Sequence, residues 1–127
     1  MMPQSVSETQ VGPAFVRTMA AYNAEMNRRI YAAAQRLPEP ERQLARGAFW
    51  GSIHGTLCHL LWGDQMWMSR FDGWAKPTVS QKDSLTLIAD FGELQRARVD
   101  ADADSIAGEM GDIFLRGVMA SKARKER

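Results

Sequence analysis

Residues 52–71 read SIHGTLCHLLWGDQMWMSRF and carry the densest helical pattern in the chain. Ser52 is of a residue type that is favoured at helix N-caps. Apolar residues then recur at helical spacing along one face: Ile53, Leu57, Leu60, Leu61, Trp67, Met68 and Phe71. The opposite side is also partly apolar, with Cys58, His59, Trp62 and Met66. A helix that is apolar on both faces is typical of the centre of a bundle or of a contact between subunits.

A further helix is predicted on each side of this one. Residues 13–37 form an amphipathic helix of about six turns, which ends at Pro38 because proline cannot continue a helix. Its apolar stripe follows steps of three and four residues: Phe15, Met19, Tyr22, Met26, Ile30, Ala33 and Leu37. Residues 84–107 form the third predicted helix, with Ser80 or Asp83 as its N-cap. Its charged residues, Arg98 and Asp102 among them, are predicted to form a solvated outer face.

The end of the chain predicts only a short or incomplete fourth helix. Its apolar residues are Ile113, Phe114, Leu115, Val118 and Met119, and Gly111 and Gly117 interrupt the pattern. We therefore predict an all-α bundle of three main helices plus this poor fourth one. The predicted organisation is a flexible N-terminal tail at 1–12, one helical domain at 13–120 and a charged C-terminal tail at 121–127.

Composition narrows the classes of function. The chain has 127 residues, of which 45% are hydrophobic, and this is enough for one domain with its own core. The net charge of +1 gives no electrostatic reason to expect nucleic acid or an anionic membrane as a partner. A single cysteine, no signal peptide and no apolar run long enough to span a bilayer favour the cytoplasm.

Candidate chemistry centres on the two histidines of the chain, His54 and His59. His59 has Gly55 one turn before it and Gly63 one turn after it, which leaves room for a metal ion, a substrate or another helix. The same pattern also fits a hydrogen-bonded interior histidine beside closely packed helices. His54 and Cys58 are four residues apart and could chelate zinc. Two ligands do not make a site, so we interpret this pair as structural.

Asp64 lies within the apolar stripe of the central helix, where a carboxylate is costly unless it is paired. It could hold a histidine or an arginine in position, or belong to a local polar network without a catalytic role. The chain contains no glycine-rich phosphate loop, no nucleophile elbow and no Ser-His-Asp set.

In order and spacing, residues 46–71 resemble the second helix of DinB-family proteins. The run that carries most of the resemblance is Gly51-Ser52-Ile53-His54-Gly55-Thr56-Leu57-Cys58-His59-Leu60-Leu61, followed by Asp64, Trp67 and Arg70-Phe71. Residues 22–31 resemble the first helix of the family, and residues 90–98 fit its third. The resemblance covers residues 16–107, which is most of the chain.

The resemblance implies a DinB/YfiT-like four-helix bundle, often a homodimer, that holds a divalent metal ion between facing helices. In the family one ligand histidine comes from the second helix, and His59 stands at the matching position. Two more come from an H-x-x-x-H motif on the last helix, whereas here no histidine follows His59. The family includes metal-dependent transferases that use low-molecular-weight thiols. The implied cofactor is therefore zinc or nickel, with an incomplete set of ligands in one chain.

Two hypotheses of different classes follow. The first is a metal-binding protein related to thiol transferases and hydrolases, in which Cys58, Asp64 or a second subunit supplements His59. The second is a truncated or divergent, non-catalytic bundle that serves only as a structural or dimerisation module. In both, a bundle without its fourth helix leaves an apolar groove that another subunit, residues 113–119 or a separate chain must cover. We expect self-association, most simply as a dimer.

Overall fold

A computed structural model of the chain describes residues 12–104, and these residues form an all-α fold, as predicted. In chain order the helices are α1 (Pro13–Gln35), α2 (Glu39–Gln43), α3 (Ile53–Phe71), a 3-10 helix (Gln81–Thr86) and α4 (Phe91–Asp104). Within 12–104 there is no β-strand, only an isolated bridge between Ala48 and Gly51. The two predicted tails and the predicted fourth helix lie outside the described residues, apart from residue 12.

The central helix α3 begins and ends where its sequence pattern predicts. The Ser52 hydroxyl accepts a hydrogen bond from the backbone N–H of Gly55 at 2.9 Å, so Ser52 is the N-cap. Along α3 the buried side is formed by His54, Gly55, Leu57, Cys58, Leu61 and Met68. The 3-10 helix, α2 and α4 all contact α3, which therefore lies at the centre of the described fold.

The C-terminal end of α1 is fastened by Arg42 of α2. The Arg42 guanidinium donates hydrogen bonds to the backbone carbonyl of Ala34, in the last turn of α1, and to that of Leu37, just beyond the helix. The same guanidinium lies 4.3 Å from the ring centroid of Phe91 at the start of α4. Arg42 therefore joins α1, α2 and α4 at one end of the bundle.

The core lies between α1, α3 and α4. It contains Tyr31, Ala34, Leu57, Cys58, Leu61, Leu94 and Ala101. The Tyr31 ring stacks on Phe91 with ring centroids 5.8 Å apart. This small core places α4 beside both α1 and α3. It therefore also determines the direction in which the His59 side of α3 faces.

The prediction of one continuous helix over 84–107 is wrong. A break at residues 87–90 separates the 3-10 helix from α4, and Asp90 is the true cap, since its side chain accepts from the N–H of Glu93 at 2.9 Å. The carbonyl of Ile88, within the break, accepts hydrogen bonds from two side chains of α3. These tertiary bonds replace the helical bonds that the sequence pattern predicted.

The apolar stripe that predicted α1 faces outward rather than into the described core. Phe15, Met19, Tyr22 and Ile30 keep 46–57% of their surface exposed. The buried positions of α1 are Ala20, Tyr31 and Ala34. The outer face of α1 is thus more apolar than a solvated surface requires.

No helix in the described part of the chain combines the length and the hydropathy needed to cross a membrane.

Candidate functional site

The His59 ring is half-buried on α3 and is held on three sides. Its Nδ1 lies 2.9 Å from the hydroxyl of Ser84, a fully buried residue of the 3-10 helix. One face of the imidazole stacks on the Trp50 ring, with centroids 3.7 Å apart and planes 16° from parallel. Trp62, one turn further along α3, lies 6.1 Å away and is also nearly parallel. These contacts fix the plane of the ring and the direction of its nitrogens.

Gly55 makes the Trp50 stack possible. A Cβ at position 55 would lie 2.5 Å from the backbone oxygen of Trp50 and 3.2 Å from the Leu85 side chain. The space beside His59 at Gly55 is therefore filled by closely packed chain. This is the second of the two expectations stated for these glycines, close packing rather than room for a ligand. Among the residues that the structure describes, a Cβ at Gly63 would meet nothing within 4 Å, so none of them fills the C-terminal side of His59.

Trp62 ties the segment after α3 to this side of the bundle. Its indole N–H donates to the carbonyl of Val79 at 2.8 Å. Val79 lies two residues before the 3-10 helix that carries Ser84. The segment that positions the Ser84 hydroxyl beside His59 is therefore anchored to α3 as well.

His54 and Cys58 are structural residues in this fold. The His54 Nε2 donates to the carbonyl of Ile88 at 2.7 Å, and the Cys58 thiol donates to the same oxygen at 3.3 Å. Both side chains are buried, and burial raises the pKa of the Cys58 thiol, although backbone hydrogen bonds oppose the shift. A protonated thiol is neither a good metal ligand nor a good nucleophile. The two side chains hold the break before α4 in place, so neither of them supplements His59 as a metal ligand.

Asp64 pairs with an arginine. Its carboxylate lies 2.8 Å from the Arg98 guanidinium, which also contacts Asp102 at 2.6 Å. Asn27 of α1 donates to Asp102 at 3.1 Å, so this network joins three helices. Burial lowers the pKa of Arg98, but the two carboxylates outweigh that effect and hold the pKa above its ordinary value. Of the roles considered for Asp64, the structure shows the pairing with arginine.

Three participants were missed or misplaced by sequence reasoning. Arg98 and Asp102 were assigned to the solvated face of the third helix, and this was wrong, because both are buried. Their spacing of four residues could have indicated the ion pair, since an arginine and an aspartate at that spacing meet on one helix face. Ser84 has no comparable signal, because its partner His59 is 25 residues away in sequence.

The side chains around His59 do not complete a metal site by themselves. Within residues 12–104 no group of three or more His, Cys, Asp and Glu side chains is arranged to hold a metal ion. His59 supplies one imidazole nitrogen, whereas a zinc site takes three or four protein ligands. The residues described in one chain therefore do not fit a complete divalent-metal centre.

A separate open depression of about 480 Å³ lies away from His59. The end of α4 and the segment after α3 border it, through Asp104, Trp74 and Lys76. His59, Trp50 and Ser84 do not line it, so its size gives no support to chemistry at His59.

Comparison with known proteins agrees with the sequence resemblance. No curated protein and no solved structure matches the chain. The model of the DinB family matches residues 2–112, which is most of the sequence and includes α1, α3, α4 and His59. With this match over a helical fold, the chain belongs to the DinB family.

Proposed function

We propose that this protein is a divalent-metal-binding member of the DinB family in which His59 is the ligand that the described residues of one chain supply. The other ligands come from outside those residues, and a second subunit is one source. Zinc and nickel are the ions proposed, because neutral imidazole suits both.

The observation that carries the proposal is the contact between His59 and Ser84. When Nδ1 donates its proton to the Ser84 hydroxyl, Nε2 keeps a lone pair. No side chain or backbone group within residues 12–104 is hydrogen-bonded to Nε2. Histidines that bind metals are typically held in this way, with the second ring nitrogen bonded to a polar group. The Trp50 stack adds a fixed ring plane.

The class of substrate proposed with this site is a small molecule such as a low-molecular-weight thiol. Thiolate sulfur is a ligand that zinc accepts readily. The family that the chain resembles includes transferases that use such thiols. We also place the protein in the cytoplasm, because its single cysteine is a buried free thiol that needs no oxidising compartment.

Titration of metal-free protein with Zn²⁺ and Ni²⁺ in a calorimeter tests the proposal. Binding should be lost in His59→Ala and weakened about 10–100-fold in Ser84→Ala, because the serine orients the ring. Ser69→Ala is the matched control, since the Ser69 hydroxyl contacts only its own helix through Met66. Unchanged binding in His59→Ala, with a native circular dichroism spectrum, would contradict the assignment of His59.

The second candidate function is a non-catalytic helical module. It is favoured by one observation: the described residues contain no cluster of three potential metal ligands. On this alternative the wild-type protein is folded and self-associates but binds neither ion. Absence of binding by wild type in the same titration would select this function over the first.

A further inference from the structure

The open depression of about 480 Å³ is separate from His59, and part of its wall is apolar. Trp74, Leu87 and Ile88 line it, and all three are partly buried side chains that pack against the hydrophobic core. Its volume falls in the range of roughly 300–1,000 Å³ that is usual for sites that bind small molecules. A ligand can therefore bury an apolar group against these three residues.

Hydrogen bonds hold two of these apolar residues in place. The Trp74 indole N–H donates to the carboxylate of Asp72 at 2.9 Å, which restrains the plane of the ring. The backbone carbonyl of Ile88 accepts hydrogen bonds from the side chains of His54 and Cys58. This part of the wall is therefore formed in advance, so binding does not have to pay for ordering it.

Polar side chains border the same depression and have no partner among residues 12–104. Lys76 and Asp104 bring opposite charges to it, and neither forms an ion pair or a side-chain hydrogen bond within the described residues. The side-chain amide of Gln65 and the hydroxyl of Thr78 also lack a hydrogen bond there. A few free polar groups beside an apolar wall are what orients a small ligand in its site.

We propose that the depression binds a small zwitterion with a large apolar group, namely an apolar amino acid, either free or within a dipeptide. Lys76 contacts the carboxylate of the ligand and Asp104 contacts its ammonium group. The apolar side chain of the ligand lies against the three apolar residues of the wall. This site is additional to the proposed metal function, because His59 does not line the depression.

The two opposite charges favour a zwitterion over a ligand with one charge. A simple carboxylate would pair with Lys76 but would also approach Asp104, which carries the same sign as the ligand, and a simple amine would have the reverse difficulty. Lys76 and Asp104 do not form an ion pair with each other. A ligand that carries both charges can contact both residues by lying between them. The amide of Gln65 both donates and accepts hydrogen bonds, so it suits either end of such a ligand.

Nuclear magnetic resonance titration of the isotope-labelled full chain tests the proposal, with EDTA present so that metal binding plays no part. The probes are L-phenylalanine, the dipeptide L-leucyl-L-phenylalanine, phenylpropionate, which lacks the ammonium group, and phenethylamine, which lacks the carboxylate. The signals of the Trp74 indole N–H and the Gln65 side-chain amide should shift. The better of the two zwitterions should bind with a dissociation constant of about 1 mM or below, and it identifies whether the free or the peptide form is the ligand. Phenylpropionate and phenethylamine should each bind about fivefold more weakly than phenylalanine, since each lacks one exposed ion pair.

Substitution of the two charged residues separates their roles. Lys76→Met should weaken phenylalanine binding about fivefold and should not weaken phenethylamine binding. Asp104→Asn should weaken phenylalanine binding to a similar extent and should not weaken phenylpropionate binding. Lys82→Met is the matched control, because Lys82 is an exposed lysine of the 3-10 helix that does not line the depression. An equal effect of Lys82→Met would overturn the proposal.

Two results with the wild-type chain would also overturn the proposal. One is that no probe shifts the signals of the depression at concentrations well above the expected dissociation constant. In that case a chemical cross-link between Lys76 and Lys122 would identify the C-terminal residues as the occupant. The other is equal affinity for phenylalanine, phenylpropionate and phenethylamine, because charge would then play no part. The proposed metal function could survive each of these failures, since metal is absent throughout.

Discussion

Arg98 joins three helices through charge, and its replacement by methionine tests how far this network stabilises the fold. The guanidinium is 5% exposed, and its two carboxylate partners differ sharply: Asp102 is 10% exposed, whereas Asp64 is 48% exposed. Methionine keeps much of the side-chain volume and removes the charge. The substitution leaves the carboxylate of Asp102 buried, with the Asn27 amide as its remaining partner in the network.

The expected loss of unfolding free energy follows from these exposures. Removing one partner of a buried ion pair costs about 3–5 kcal/mol, because the other charge stays buried without compensation. This is a large share of the roughly 5–15 kcal/mol that stabilises a typical domain. Asp64→Asn should cost only about 0–1 kcal/mol, since solvent screens a half-exposed pair. The two substitutions act on the same guanidinium, so Asp64→Asn is the matched control.

Urea unfolding followed by far-ultraviolet circular dichroism measures both losses. Arg98→Met should shift the midpoint far more than Asp64→Asn, and Asp102→Asn should fall between them, because it leaves Arg98 paired with Asp64. A loss below about 1 kcal/mol for Arg98→Met would refute the reasoning. Equal losses for Arg98→Met and Asp64→Asn would refute it as well, because burial would then not set the size of the effect.

Three further predictions concern residues of α3 beside the candidate site. Gly55→Ala should lower the free energy of unfolding by about 1–3 kcal/mol, because a Cβ would press on the Trp50 backbone oxygen. It should also weaken the near-ultraviolet circular dichroism of Trp50. Gly63→Ala, which meets open space, should instead stabilise α3 by up to about 1 kcal/mol, and a loss of stability there would contradict the packing described. Burial holds the pKa of the Cys58 thiol above its ordinary value of 9.0, so the native state retains the thiol proton more strongly than the unfolded state. The free energy of unfolding should therefore decrease as pH rises above about 9, the pKa of the thiol in the unfolded chain. Urea titrations of Cys58→Ala should show a shallower decrease, and equal slopes would exclude this contribution.

The central helix was predictable because its signals are local. Ser52 supplies a cap, apolar residues at helical spacing define a buried side, and nothing interrupts the pattern before Phe71. His59 was identifiable as a site candidate for the same reason, since its position on the helix and in the family pattern needs no tertiary information. The hydrogen bond that orients its ring comes from Ser84, which only the folded chain brings near.

The third helix was mispredicted because a tertiary contact competes with a local pattern. Residues 84–107 have acceptable helical spacing, but the carbonyl of Ile88 is bound by His54 and Cys58 of α3. Asp90 then starts a new helix as its N-cap. The interpretation of His54 and Cys58 as a structural pair agrees with their shared hydrogen bonds to Ile88, but the backbone group that they hold could not be inferred from the spacing of the pair.

The orientation of α1 shows why an apolar stripe alone does not identify the core side of a helix. Rotating α1 to bury Phe15, Met19 and Ile30 would turn Asn27 away from Asp102 and break the contact between α1 and the charged network. Asp102 would then keep Arg98 but lose the amide that satisfies its remaining acceptor positions. A buried carboxylate without sufficient hydrogen bonds is costly, whereas an exposed apolar stripe can still be covered from outside. The polar network therefore favours the observed orientation of α1, in which the apolar stripe stays exposed among residues 12–104.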